Sequence, residues 1–206
     1  IKRLALGLLI AAIICGLALF AVTGLPLLWI GLAGVVCTLL YPVLKFNALG
    51  DLDILLTFAF LPTLGTSYVA TGAIDWNVLL IALPVGLITD GILHSNNTRD
   101  MLTDKRAGIR TMAMSLGNNV SAWLYGFEVI FPFIWIGVCS ITGLMPLTTL
   151  AIFLTLPIAI ACAQSMKFSL TGGAGVIADL DVRTANLQLL FSLLLTAAFI
   201  VGKFIA

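Results

Sequence analysis

Charge is what this sequence has least of. Only 9% of its 206 residues are charged, where a soluble domain carries about 25%, so a water-soluble globular domain is excluded. Cysteine is sparse and scattered: Cys15, Cys37, Cys139 and Cys162 each sit alone in an apolar run. With no CxxC and no Cys/His spacing, neither a disulfide framework nor a zinc site is expected, and the four read as small buried hydrophobes. The net charge of +1 and the lack of a basic patch with interleaved aromatics give no role with nucleic acid. There is no linker, low-complexity tract or separate soluble domain.

What the chain has is long hydrophobic runs. It is 61% hydrophobic with a mean hydropathy of +1.19. A membrane-spanning helix needs about 20 apolar residues. Seven stretches qualify, at roughly 4–23, 26–45, 52–72, 76–97, 119–141, 145–166 and 184–204. The expected fold is an all-α, polytopic transmembrane bundle, with residues 1–206 forming a single membrane domain in the lipid bilayer. Pro62, Pro84, Pro132 and Pro157 fall inside these spans and are expected to kink them. The connections at about 98–118 and 167–183 read as long, with Gly172-Gly173 in a flexible loop. The first run is too long and apolar for a signal peptide. It is expected to be a true span of a longer protein, since Ile1 opens the chain without Met.

The cations set the orientation. Alternating spans place Lys2, Arg3, Lys45, Arg99, Lys105, Arg106, Arg110, Lys167 and Arg183 on one side and only Lys203 on the other. Positive residues mark the cytoplasmic side, so a multi-pass protein of the cell (inner) membrane is expected, with its polar segment toward the cytoplasm.

That segment runs from His94 through Asn96, Asn97, Arg99, Asp100, Asp104, Lys105 and Arg106 to Gly108. In a helix, Asn96, Asp100 and Asp104 recur every four residues and share a face. Two carboxylates at that spacing, with an adjacent amide, suit Mg2+, which takes few carboxylates and completes its shell with water and phosphate oxygens. Arg99, Lys105, Arg106 and Arg110 form a candidate clamp for a diphosphate. Lys45, with Tyr41 one turn earlier, ends the second span on the same side and can join it; otherwise it is a snorkelling lysine. Asp90, His94 and Asn97 share a face within the fourth span. An ionisable group there implies function: Asp90 and His94 are candidates for a general base or for orienting an acceptor hydroxyl, or they satisfy one another. Glu128 reads as a buried polar contact. Asp179, Asp181 and Arg183 read as loop charges. The sequons at Asn96 and Asn119 lie at the cytoplasmic side and are discounted.

Asn96-Asn97-Thr98-Arg99-Asp100, Asp104 and Gly108, followed by Thr111 and Leu116-Gly117, resemble the second aspartate-rich motif of the UbiA superfamily of intramembrane prenyltransferases. His94 through Met101 is most similar to its menaquinone-forming branch. Tyr41 through Lys45 to Asp51, and Arg183 through Leu187, resemble two further family segments. The resemblance implies nine spans around a central cavity, of which the seven here correspond to the third through ninth. It also implies a first aspartate-rich motif, an Asn and Asp set after the family's second helix, which this sequence does not contain. The implied reaction joins a polyprenyl diphosphate to an aromatic acceptor, 1,4-dihydroxy-2-naphthoate in that branch, with Mg2+ as cofactor. Acceptors such as 4-hydroxybenzoate, chlorophyllide or haem would use much the same motif. A CDP-alcohol phosphotransferase would need Asp-Gly-(x2)-Ala-Arg upstream, and Asp90-Gly91 lacks it. A transporter would place its ionisable groups near the midplane, in paired repeats.

Overall fold

The computed structural model describes residues 2–205; Ile1 and Ala206, the two ends of the expected domain, lie outside the described residues. The described residues are nearly all helical, and seven helical stretches are long and apolar enough to cross a membrane. The first two spans are α1 (Lys2–Thr23) and α2 (Leu25–Phe46). The third is composite: α3 (Gly50–Ile54), a π-helical segment (Leu55–Phe60) and α4 (Leu61–Thr71). A 3-10 turn, Trp76–Val78, leads into α5 (Leu79–Arg99), which is followed by the short α6 (Met101–Arg106) and then α7 (Met112–Ile141). A long 3-10 stretch, Leu147–Thr155, runs into α8 (Leu156–Gly172). A second, Ala174–Ile177, precedes α9 (Leu180–Ile205).

Neighbouring spans run antiparallel, as cross-helix contacts at both ends show. Trp135 of α7 donates its indole N–H to the Leu80 carbonyl at 2.9 Å, while His94, at the other end of α5, meets Glu128. Arg99 at the end of α5 reaches Asp181 in the first turn of α9, and Arg183 of α9 donates to Ser165 of α8 at 3.0 Å. The ends of α5, α8 and the start of α9 therefore gather on one side, called here the inner end.

The core lies among α5, α7, α8 and α9. Ile88, Tyr125, Val129, Ile136, Leu187 and Phe191 are buried there. Phe133 sits edge-on to Phe153 and Phe191, at centroid separations of 5.9 and 5.4 Å, the favoured aromatic geometry. By contrast α1 has 0% of its apolar window buried and α2 has no buried residue.

The expected spans match in number and order, and several details are corrected. The fifth begins at Met112 rather than 119, but the chain leaves helical geometry at Gly117 (φ 75°, ψ 165°), so the straight span does start where the pattern changes. Pro62 and Pro157 lie inside continuous spans as expected, each directly after an irregular segment, the π turn Leu55–Phe60 and the 3-10 stretch Leu147–Thr155. Pro84 and Pro132 sit within α-helix. The stretch 167–183 is almost wholly helical, and Gly172-Gly173 is a tight break rather than a loose loop. Cys139 and Cys162 are buried, but Cys15 is exposed and Cys37 half-exposed, because α1 and α2 stand at the edge of the bundle.

α5 packs close to the π segment at Gly86. A Cβ there would lie 2.6 Å from the Ala59 Cβ and 2.6 Å from Leu55 Cδ1. Leu55 can turn away; the Ala59 methyl cannot. Overpacking of this kind costs about 1–3 kcal/mol. Gly86→Ala is therefore expected to lower the melting temperature of the detergent-purified protein. Gly126→Ala, whose added Cβ meets nothing within 4 Å, is expected to leave it unchanged.

Candidate functional site

The polar segment of the sequence closes the inner end of α5. Its helix pauses at Asp100 (φ −95°, ψ 9°) and resumes as α6. The hydrogen-bond register survives the pause: Asp100 N–H donates to the Asn96 carbonyl and Asp104 N–H to the Asp100 carbonyl, both at 2.9 Å. Asn96, Asp100 and Asp104 thus follow one another at single-turn intervals, as the spacing predicts. Gly108 (φ 73°) then ends α6: its N–H donates to Lys105 and that of Ile109 to Asp104, a Schellman closure.

Arg99 organises this end. Its Nε donates to Asp100 Oδ1 at 2.9 Å and its Nη2 to Asp100 Oδ2 at 3.1 Å. Its Nη1 donates to Asp181 Oδ2 at 2.8 Å and to the Ala178 carbonyl at 3.1 Å, and Nη2 also donates to Asn96 Oδ1. The guanidinium fork thus bridges α5 and α9, a planar geometry that Lys could not reproduce. Asp181, read from the sequence as a loop charge, is a member of the site. Beside it a cavity of about 230 Å³ opens between the π segment and α5, with Asn96 and Asp181 at its polar edge and Ile54, Phe58, Ile92 and Leu93 as walls.

The other candidate cations lie apart from this network. Lys105, Arg106 and Arg110 are exposed, and Arg110 donates to Ser115 Oγ at 3.2 Å. Lys45 and Tyr41 are half-buried on α2, with the Lys45 backbone packed on Gly50; no described hydrogen bond brings either to Arg99 or Asp100.

Deeper in α5, Asp90, His94 and Asn97 are buried on a shared face. Asp90 and His94 do not satisfy one another. His94 Nδ1 lies 3.0 Å from Glu128 Oε1 and Nε2 lies 2.6 Å from Ser121 Oγ, which is 2.9 Å from Thr98 Oγ1. One consistent direction has Nδ1–H donating to Glu128, Ser121 donating to Nε2 and Thr98 donating to Ser121. Glu128 is the buried contact expected, and Ser121 is a partner that its own surroundings gave no reason to single out. Asp51, also buried, lies within electrostatic reach of His94, Glu128 and Asp90. The outer oxygens Asp90 Oδ1 and Glu128 Oε2 have no hydrogen-bond partner among the described residues. Below this layer Tyr125 Oη and Thr184 Oγ1 are 2.6 Å apart, tying α7 to α9.

A hard divalent cation fits the donor chemistry of the inner end. Asp100 and Asp104 are carboxylates one turn apart, both partly exposed, with the Asn96 amide in line. Among the described residues no group of three His, Cys, Asp or Glu side chains is arranged to hold a metal. Were Asp100 and Asp104 to hold such an ion, its other ligands would be water and phosphate oxygens. Arg99 covers both Asp100 oxygens, so an ion there would share that carboxylate with the guanidinium.

Removing the partner of a buried donor leaves it unsatisfied, at about 1–3 kcal/mol. Glu128→Ala is thus expected to destabilise the bundle measurably, while Glu128→Gln, which keeps an acceptor oxygen for Nδ1–H, loses much less. Thermal unfolding of the two variants in one detergent compares them; equal melting temperatures would remove the His94–Glu128 bond from the account of this site.

Comparison with known proteins gives the family. Residues 2–173 match the UbiA prenyltransferase family. The chain is 37% identical over 153 residues to UbiA prenyltransferase domain-containing protein 1 of Mus musculus and 35% identical to that of Homo sapiens, each alignment covering 72% of this chain. A homolog from Drosophila melanogaster is 43% identical over 110 residues, or 52% of this chain. The chain spans 42% of the length of the mouse and human relatives and 31% of the fly one. With most of the sequence matched and the polar end of α5 carrying the motif, the chain belongs to the UbiA prenyltransferase family.

Proposed function

We propose that the protein transfers a polyprenyl group from a polyprenyl diphosphate to an aromatic acceptor, 1,4-dihydroxy-2-naphthoate, in the formation of a menaquinone. The observation that carries the reading is the meeting of Arg99, Asp100 and Asn96 at the inner end of a largely apolar bundle, with Asp104 one helical turn further on. Such a cluster suits a doubly charged phosphate head whose hydrocarbon tail lies among the spans. The naphthoate acceptor rests on the run from His94 to Met101, and the relatives' names stop at the prenyltransferase domain.

In this reading Asp100 and Asp104, with Asn96, hold Mg2+. When bound, the ion supplies charge neutralisation of the diphosphate. Arg99 adds a fixed guanidinium, and Lys45, Tyr41, Lys105, Arg106 and Arg110 are the further candidates for contact with the phosphates. The allylic C–O bond breaks and its electron pair leaves with the diphosphate, a charge that preorganised cations stabilise. The acceptor ring carbon that bears the carboxylate forms the new C–C bond, and the carboxylate leaves as CO2. Asp90, whose Oδ1 has no partner among the described residues, and Asn97 would orient the acceptor's hydroxyls, while His94, with both ring nitrogens held by Glu128 and Ser121, would fix the position of this face. The apolar spans keep water from the allylic cation. The nine-to-one division of cations supports a site that faces the cytoplasm in the cell (inner) membrane.

The test is product formation by the full-length protein in proteoliposomes, given radiolabelled geranylgeranyl diphosphate, Mg2+ and a panel of acceptors. A prenylated 1,4-dihydroxynaphthalene, with release of CO2, is the expected product. Asp100→Ala combined with Asp104→Ala is expected to lower the rate at least about 100-fold, the scale seen when charge-stabilising groups are lost. A folded double variant that retains its rate would overturn the site. Transfer only to 4-hydroxybenzoate or another acceptor would overturn the naphthoate assignment alone.

A further inference from the structure

A second cavity has neither Arg99 nor Asp100 in its lining. It is a groove of about 630 Å³ between α7 and α8, on the outer flank of the bundle. Its wall is an aromatic ladder along one face of α7. Trp123 stacks on Phe127 at 6.1 Å and Phe127 on Phe131 at 4.7 Å. Its floor is opened by small residues, Gly126 on one side and Ala163 on the other. The polar lining groups, Asn119, Gln164 and Lys167, belong to the inner ends of the two helices. All three are exposed, and Lys167 has no carboxylate partner among the described residues.

We propose that this groove is a binding site for an anionic phospholipid of the inner leaflet. Lys167, with the amides of Asn119 and Gln164, receives the headgroup phosphate, and one acyl chain lies along Trp123, Phe127 and Phe131. Charge complementarity selects this occupant: basic pockets between spans on the cytoplasmic side are the places where anionic headgroups bind. The shape agrees. From Asn119 to Ile134, both lining the groove, α7 rises about 22 Å at 1.5 Å per residue, enough for a full acyl chain that starts at the polar end. A site for the prenyl diphosphate donor fits less well, because none of Arg99, Asp100 and Asp104 lines the groove, which offers one cation for a diphosphate. The inference does not depend on the transferase reading.

The experiment is native mass spectrometry of the full-length, delipidated protein with phosphatidylglycerol or phosphatidylcholine of matched chains. Phosphatidylglycerol adducts are expected to dominate and to survive millimolar inorganic phosphate, since the chain contributes to binding. Lys167→Gln is expected to weaken phosphatidylglycerol retention about fivefold. Lys203→Gln, at the opposite end of the bundle, is expected to change nothing. Trp123→Ala is expected to shorten retention of both lipids, and Ala163→Phe, which fills the groove, to abolish it, with melting temperature as the check on folding. Equal retention of the two lipids, an unchanged preference in Lys167→Gln, or displacement by inorganic phosphate would each overturn the proposal.

Discussion

The guanidinium of Arg99 holds the inner ends of α5 and α9 at one fixed spacing, and the polar layers beneath depend on that register. With Arg99 bound to Asp100, Asp181, Asn96 and the Ala178 carbonyl, α5 cannot rotate without breaking several charge-assisted bonds at once. Each pair alone is partly exposed and contributes little; their strength lies in sharing one planar group. Two layers deeper, His94 with Glu128 and Ser121 fixes α5 against α7, and Tyr125 with Thr184 fixes α7 against α9. These bonds replace water in a region that has none, and a buried polar group there must find its partner within the protein.

The bundle was legible in the sequence because lipid imposes a simple rule on length and polarity. Seven apolar runs gave seven spans, within a few residues at most boundaries. The misreadings have local causes. The π turn before Pro62 and the 3-10 stretch before Pro157 look like ordinary apolar helix in one dimension. The cysteines of α1 and α2 look no different from those of the core, because apolar residues face lipid as readily as protein. Hydropathy does not distinguish the two, so which spans would lie at the edge could not be read.

The site was legible only along one helix. Asn96, Arg99, Asp100 and Asp104 declare themselves by spacing and polarity. Their partners do not. Asp181 lies 82 residues from Arg99 and looks like one of three loop charges. Ser121 is an ordinary hydroxyl at the start of a span, and Glu128 stood out only because a carboxylate in an apolar run is rare. Asp51 was noticed for its place in a motif, not for its closeness to His94. Contacts across helices are set by rotation about the helix axis, and periodicity along a single helix does not encode the rotation of its neighbour.

The π-helical segment Leu55–Phe60 changes how the third span can vary over evolutionary time. A π turn accommodates one residue more than an α turn, and one residue is about 100° of azimuth. That offset lets Asp51 face the buried layer of His94 and Glu128 at one end of the span while, at the other, Gly65 packs on α2 and Tyr68 reaches the Thr23 carbonyl at the end of α1. Deleting a single residue here would relax the segment to α-helix and swing the two ends out of phase, turning one set of contacts toward lipid. The third span is therefore locked in length as well as composition: drift by substitution is open to it, and drift by insertion or deletion is closed.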